Sequence, residues 1–238
     1  MSDIFEAINT GSLDIVKHFI EEHRCDVNSE YKTGYTPLIY AAYKGNLDIV
    51  KYLIKECHAN IYTENRFGFW NPIQTASEGG HLNVVKYLVE EYHFDVNIKN
   101  IYGQTPLYDV ALNGSLDIVK YFVEKCHCDV NMKDIINMKD IKGKTPLYMA
   151  SYNRRLATVK YFVETCHCDP NMKDNDGRTP LHDAALDGGL DIVKYFIEKC
   201  HCDVNAKDNL NKTPLSEAVD LKYDNIIKYL LEHGAKKA

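Results

Sequence analysis

Three Cys-His-Cys triplets, Cys126-His127-Cys128, Cys166-His167-Cys168 and Cys200-His201-Cys202, carry the residue types in this chain most able to do chemistry, with partial forms at Cys25 and Cys57-His58. Thiolate and imidazole ligate zinc, and neighbouring thiols can be redox-active. Geometry counts against a metal. One triplet offers at most three close ligands, and placing all three on one ion strains the chain. The triplets recur at one place in a repeating unit, so packed helices set successive ones about 8–10 Å apart. A Zn–S bond is about 2.3 Å. The triplets therefore read as small apolar residues filling space after a helix, and neither metal nor cofactor is assigned. A metal-binding or redox-thiol protein built on the triplets is the alternative.

A second column pairs Lys with Tyr: Lys51-Tyr52, Lys86-Tyr87, Lys120-Tyr121, Lys160-Tyr161, Lys194-Tyr195 and Lys228-Tyr229. On a helix these rings pack between units and the ammonium groups stay in solvent. No nucleophile elbow, phosphate-binding glycine loop or HExxH is present. Asp174, Asp176 and Gly177 begin like a calcium loop, but the distal Glu is missing. No catalytic residue is assigned, and the chain is read as a non-enzyme.

The elements behind these columns follow from a triplet that recurs at Thr36-Pro37-Leu38, Asn71-Pro72-Ile73, Thr105-Pro106-Leu107, Thr145-Pro146-Leu147, Thr179-Pro180-Leu181 and Thr213-Pro214-Leu215; its prolines are spaced 35, 34, 40, 34 and 34 residues apart. Internal repetition decides the architecture. In residues 174–207, Thr179 is an N-cap and Pro180 suits the first helical position. Leu181, Ala184 and Ala185 give this first helix a small apolar face. Gly188-Gly189 breaks it. Leu190, Ile192, Val193, Phe196 and Ile197 then recur at helical spacing, and an Asp/Asn-rich turn follows. No such unit covers its own apolar face, so units must stack.

The pattern G-x-TPLH-x-AA, then G-x-L-x-IVKY, then D-V-N resembles the ankyrin repeat, across nearly the whole chain. The resemblance implies an all-α ankyrin-repeat solenoid of stacked helix–turn–helix units with β-hairpin-like turns. It also implies that His182 serves a structural hydrogen bond. The repeat is one residue longer than usual, and the extra residue lies after the second helix, in Glu-Lys-Cys-His-Cys. Longer units of this kind resemble those common in arrays of parasitic protists.

Seven repeats form one expected domain over 1–238: 1–30 as N-terminal cap, 31–64, 65–99, 100–139, 140–173, 174–207, and 208–238 as C-terminal cap with a wetter outer face. In the first, Ser2, Asp3 and Ile4 align with Thr, Pro and Leu. The long spacing arises from a tandem duplication, Asn131–Ile136 then Asn137–Lys142, which predicts a protruding turn. Arg154-Arg155 stands where other repeats have Gly and a small or polar residue, and Asn211 replaces a turn glycine.

Lys and Arg number 28 against 34 Asp and Glu, a net charge of −6, which argues against nucleic acid as partner. No apolar run reaches the roughly 18–20 residues needed to span a bilayer. The N-terminus lacks a signal-peptide pattern. The expected setting is the cytoplasm or nucleus, with the eight cysteines reduced and the chain monomeric. The resemblance places partners on the turn tips and first helices, the concave side. The residues mapped there are Tyr31, Tyr35, Tyr43, Tyr62, Phe67, Phe69, Trp70 and Tyr102, then Lys142, Lys144, Tyr152, Arg154 and Arg178. Tyr, Trp and Arg dominate binding hot spots. The expected function is a non-catalytic interaction module for a protein or peptide, held by the aromatic group and flanked by the cations.

Overall fold

The computed structural model describes residues 3–30, 34–64, 68, 70–126 and 142–236. Regular structure in them is helical and comes in pairs: α1 (Ile4–Asn9) with α2 (Leu13–His23), α3 (Pro37–Lys44) with α4 (Leu47–Lys55), α5 (Pro72–Glu78) with α6 (Leu82–Tyr92), α7 (Pro106–Asn113) with α8 (Leu116–Glu124), α9 (Pro146–Tyr152) with α10 (Leu156–Lys160), α11 (Pro180–Leu186) with α12 (Leu190–Glu198), and α13 (Pro214–Asp220) with α14 (Asp224–Glu232). The chain divides into two compact units, Met1–Val110 and Ala111–Ala238, the boundary falling inside α7. In the N-terminal unit α1, α3 and α5 stack in sequence, as do α2, α4 and α6. In the C-terminal unit α9, α11 and α13 form one such row and α8, α10, α12 and α14 the other. Most of the duplicated loop, residues 131–141, lies outside the described residues.

Each first helix starts as its sequence dictates. From the second repeat on Pro opens it, and in several the residue before accepts a backbone N–H: Thr36 Oγ1 from Ile39, Thr213 Oγ1 from Ser216, and Asn71 Oδ1 from Gln74 at 3.1 Å. Asn71 thus does the work of the usual Thr. In the first repeat the cap is Asp3, which accepts from Glu6 N at 2.9 Å, one residue later than the alignment of Ser2 with Thr implies. Ala41, Ala42, Ala184 and Ala185 are wholly buried and let successive first helices approach. Ile49, Val50, Leu53, Ile192, Val193 and Phe196 fill the core from the second helices, each buried side chain stabilising by about 1.5–3 kcal/mol.

The turns are hairpin-like, with no strand assigned among the described residues. Asp174 N–H donates to Arg178 O, and Asp174 Oδ1 accepts from the N–H of Asp176 and Arg178. Asn100 and Asp208 repeat this arrangement. Adjacent turns are tied by one backbone bond, as from Asn209 N–H to Asp176 O at 2.9 Å. Asn211 takes φ +61° where other turns have glycine, because Asn tolerates the left-handed region best among the non-glycine residues.

In three of the first helices a buried donor two residues after the proline holds the next turn. Gln74 Nε2 donates to Gln104 O at 3.1 Å, Tyr148 Oη to Arg178 O, and His182 Nε2 to Lys212 O at 3.2 Å. His182 Nδ1 accepts the Thr179 N–H at 3.1 Å, so the ring is neutral with its proton on Nε2. Burial accordingly pulls His182 below its ordinary pKa.

The extra residue of the long repeat is absorbed at the end of the second helix. The Tyr195 carbonyl accepts from both Lys199 and Cys200, and Cys202 N–H reaches back to Phe196 O at 3.0 Å. This wider closing turn needs a left-handed residue, and His58, His93, His167 and His201 supply it at φ +52 to +56°. In the fifth repeat it appears as a π-helical turn over Tyr161–Thr165. The last repeat lacks the extra residue and closes through Gly234 at φ +89°, with Ala235 N–H on Leu230 O at 2.9 Å. Its outer face is less polar than the sequence implies: Val219 and Leu221 are exposed, and Ile227 and Leu231 line an open pocket.

Replacing His182 by Ala strands the Thr179 N–H and leaves the Lys212 carbonyl only its bond from the Asp208 N–H, so urea unfolding should report a loss of about 1–3 kcal/mol for the buried donor left unpaired. His182→Gln, which can still donate as Gln74 does, should recover much of it. Equal losses in both variants would show that the bond to Lys212 carries little of the stability.

Candidate functional site

The Cys-His-Cys column resolves into helix-end packing. Its histidine is the left-handed residue just described, and its second cysteine is buried in both described triplets, at Cys168 and Cys202. Burial, with Cys166 beside it, raises the Cys168 thiol far above its usual range. Cys166 is pushed up to about 11, chiefly by burial. Such thiols stay protonated and are poor nucleophiles and ligands. Cys200 differs: its interaction with the neighbouring Cys202 thiol lowers Cys200 and raises Cys202. No group of three or more metal-ligating side chains gathers among the described residues. Cys128 lies outside them.

The Lys-Tyr column forms a ladder across each stack. Lys17 lies over the Tyr52 ring at 5.4 Å and Lys51 over Tyr87 at 5.5 Å. Lys120, Lys160 and Lys194 lie over Tyr161, Tyr195 and Tyr229 at 5.7–5.8 Å. The tyrosines also donate to a glutamate of the preceding repeat: Tyr161 to Glu124, Tyr195 to Glu164 and Tyr229 to Glu198, at 2.7–3.0 Å. The ammonium groups are thus placed over rings, a cation–π contribution that spacing along one helix did not reveal.

The mapped partner-facing residues fall into separate settings. Tyr31, Phe67 and Phe69 lie outside the described residues. In the N-terminal unit Tyr35 and Trp70, on adjacent turns, pair with ring centroids 5.9 Å apart, and both are half-buried. Burial, then Glu78 and Tyr43, pushes the Tyr35 hydroxyl up to about 12, so these side chains share one neighbourhood. Tyr43 and Tyr102 are exposed. Tyr62 is 68% exposed and its ring faces Phe94 at 5.4 Å.

The C-terminal unit uses its cations internally. Asp183, whose side chain is 1% exposed, is met by Lys144 at 3.3 Å and Arg178 at 3.1 Å, and Arg178 also meets Glu217 at 3.3 Å. Lys144 Nζ lies 5.8 Å from the centre of the exposed Tyr152 ring. Arg154 sits at φ +57° in the glycine place and pairs with Asp187 at 2.7 Å. Arg155 donates to Leu112 O at 3.2 Å, as Asn46 does to Ile8 O and His81 to Tyr43 O in other repeats. Lys142 is exposed, and its carbonyl accepts the Asn175 N–H.

Three buried acids, Asp109, Asp183 and Glu217, complete the picture. Lys144 and Arg178 stand two residues before the proline of their repeat, and Asp183 and Glu217 three residues after the next proline. In the N-terminal unit those same places hold Trp70 and Asp109. Asp109 is 6% exposed, and its Oδ2 has no hydrogen-bond partner among the described residues. Burial, and then Glu78, holds its carboxyl well above the ordinary range. Aligning the repeats exposes this substitution of an aromatic for a cation; reading each repeat alone does not.

A family model described as ankyrin repeats (3 copies) matches residues 4–100, 57–134, 73–174 and 147–238. The chain belongs to the ankyrin-repeat family. No curated protein matches it. Ankyrin repeats generally mediate protein–protein interaction, and the regular columns above are the ankyrin scaffold. Among the described residues no helix is long and apolar enough to cross a membrane.

Two measurements follow. The folded state holds the Asp109 proton more tightly than the unfolded chain, so the stability this group contributes is present below its unfolded pKa of 3.8 and lost as pH rises through the folded value. Asp109→Asn should therefore melt higher than wild type at pH 7, by about 2–4 °C for each kcal/mol relieved, with the gap closing towards pH 4. A midpoint that is unchanged at both pH values would mean that the carboxylate carries no burial penalty. Among the described thiols, Cys200 should react first with Ellman's reagent in the native protein. A fast phase that survives in Cys200→Ser would refute this.

Proposed function

We propose that this ankyrin array is a non-catalytic binding module for a protein or peptide held on its turn tips and first helices. The observation that carries this reading is the Tyr35–Trp70 pair. Large rings on turn tips are half-exposed in the free chain, which costs hydration unless something covers them. Aromatic anchors of this type supply most of the energy in many interfaces. Tyr43 and Tyr102 add exposed aromatic surface within the same compact unit. The C-terminal unit offers its own exposed side chains, Tyr152, Arg154 and Lys142, of which Arg154 is already paired with Asp187. Lys144 and Arg178 are better explained as internal partners of Asp183 and Glu217.

Affinity capture from the native cell tests the proposal. Tyr35→Ala with Trp70→Ala should cut partner recovery more than tenfold, the loss of about 1.4 kcal/mol or more, while the melting temperature changes little. Undiminished capture by a folded double variant would remove the assignment.

A further inference from the structure

The buried acids of the two compact units form one register with two outcomes. In the C-terminal unit each acid three residues after a repeat's proline has a cation from the preceding repeat: Asp183 has Lys144, and Glu217 has Arg178. Asp183 also has Arg178 from its own repeat. At Asp109 both cation places are altered. Trp70 stands where Lys144 and Arg178 stand for the following repeat, and Gln104 stands where Arg178 stands for its own. Gln104 is neutral, and its amide oxygen already accepts from Asn100 Nδ2 at 2.9 Å. Lys44 lies over the rings of Tyr40 and Tyr43. The result is a carboxylate that is 6% exposed with an oxygen no described group satisfies. Glu78 is close enough to oppose its ionisation and also acts on Tyr35.

We infer that this place takes its cation from another molecule: Asp109 and Glu78, with the Tyr35–Trp70 ring pair, bind an arginine or lysine side chain of the partner. The inference rests on the docking role proposed above and names the chemistry it selects. Glu78 and the Asp109 carboxyl, which gives up its proton to solvent when a cation sits beside it, supply negative charge. Two ring faces 5.9 Å apart supply the quadrupole that attracts a desolvated cation. Arginine suits both, because its plane stacks on indole while its fork bonds a carboxylate. An apolar side chain would bury Asp109 deeper with nothing to satisfy its Oδ2, and an acidic one would add repulsion. The incoming cation does for Asp109 what Lys144 does for Asp183. An unpaired buried acid persists because the pair is completed only on binding.

Trp70 is the single tryptophan of the chain, so its indole N–H resonance reports the site without ambiguity. The isotope-labelled full chain is titrated with Nα-acetyl-argininamide, Nα-acetyl-lysinamide and the neutral Nα-acetyl-norleucinamide. The two cations should shift the resonance saturably, at half-saturation at least about tenfold below that of the norleucine probe. Asp109→Asn should keep the fold's spectrum and lose that preference. Equal response to charged and neutral probes, no response to any, or an undiminished preference in Asp109→Asn overturns the inference. The capture assay separates it from the docking role. Loss of the partner with the Tyr35/Trp70 variant but not with Asp109→Asn leaves docking and sinks the cation. Retention in both removes both.

Discussion

A buried hydrogen bond that recurs in three repeats sets how each of them meets the next. A donor in the first helix reaches the carbonyl that opens the next repeat's helix, and so fixes where the next turn stands. Amide, phenol and imidazole all serve, at Gln74, Tyr148 and His182, because the requirement is a donor of sufficient reach in a dry place rather than a particular residue. Each of these carbonyls also accepts an N–H within its own turn, so the donor from the preceding repeat adds direction rather than rescuing an orphan. Stability in such an array is a sum of nearest-neighbour terms, and this bond is a directional part of three of them. Apolar burial is larger in total but does not by itself set the turn.

The second helices use the same economy of position. Lysine over the next repeat's ring, and that ring's hydroxyl on the preceding repeat's glutamate, give a ladder of modest contacts that repeats with the chain. The additional residue of the long repeat is taken up where a helix can end one residue later by widening its last turn. Histidine accepts the left-handed conformation there. The cysteine after it, Cys168 or Cys202, is buried, and Cys202 Sγ donates to Pro170 O of the preceding repeat. A motif with the composition of a metal site is thus accounted for by backbone geometry and packing.

Against this regular background the first-helix acids carry the information. Asp183 and Glu217 are neutralised inside the chain, which makes the arginine and lysine near them part of the scaffold. Asp109 occupies the same register with tryptophan in the cation's place. A buried, unpaired carboxylate opposes folding, and proteins concentrate such costs at functional sites. At Asp109 the demands of scaffold and site conflict.

The sequence by itself determined the repeats, the helix pairs, the caps and the stacking, because period, proline position and small-residue faces are local signals that agree with one another. It also marked Tyr35, Trp70 and Arg154 as departures from the template. It placed the first cap one residue early, at Ser2 rather than Asp3, since either side chain can cap a helix and only the backbone path decides. Only the tertiary structure decided which charges are spent internally. Arg178 and Lys144 look like surface cations when read along the chain, yet Lys144 meets Asp183, and Arg178 meets Glu217, of the following repeat. Asp109 looks ordinary until its burial is known. Pairing and desolvation are properties of contact between repeats, and no single repeat records them.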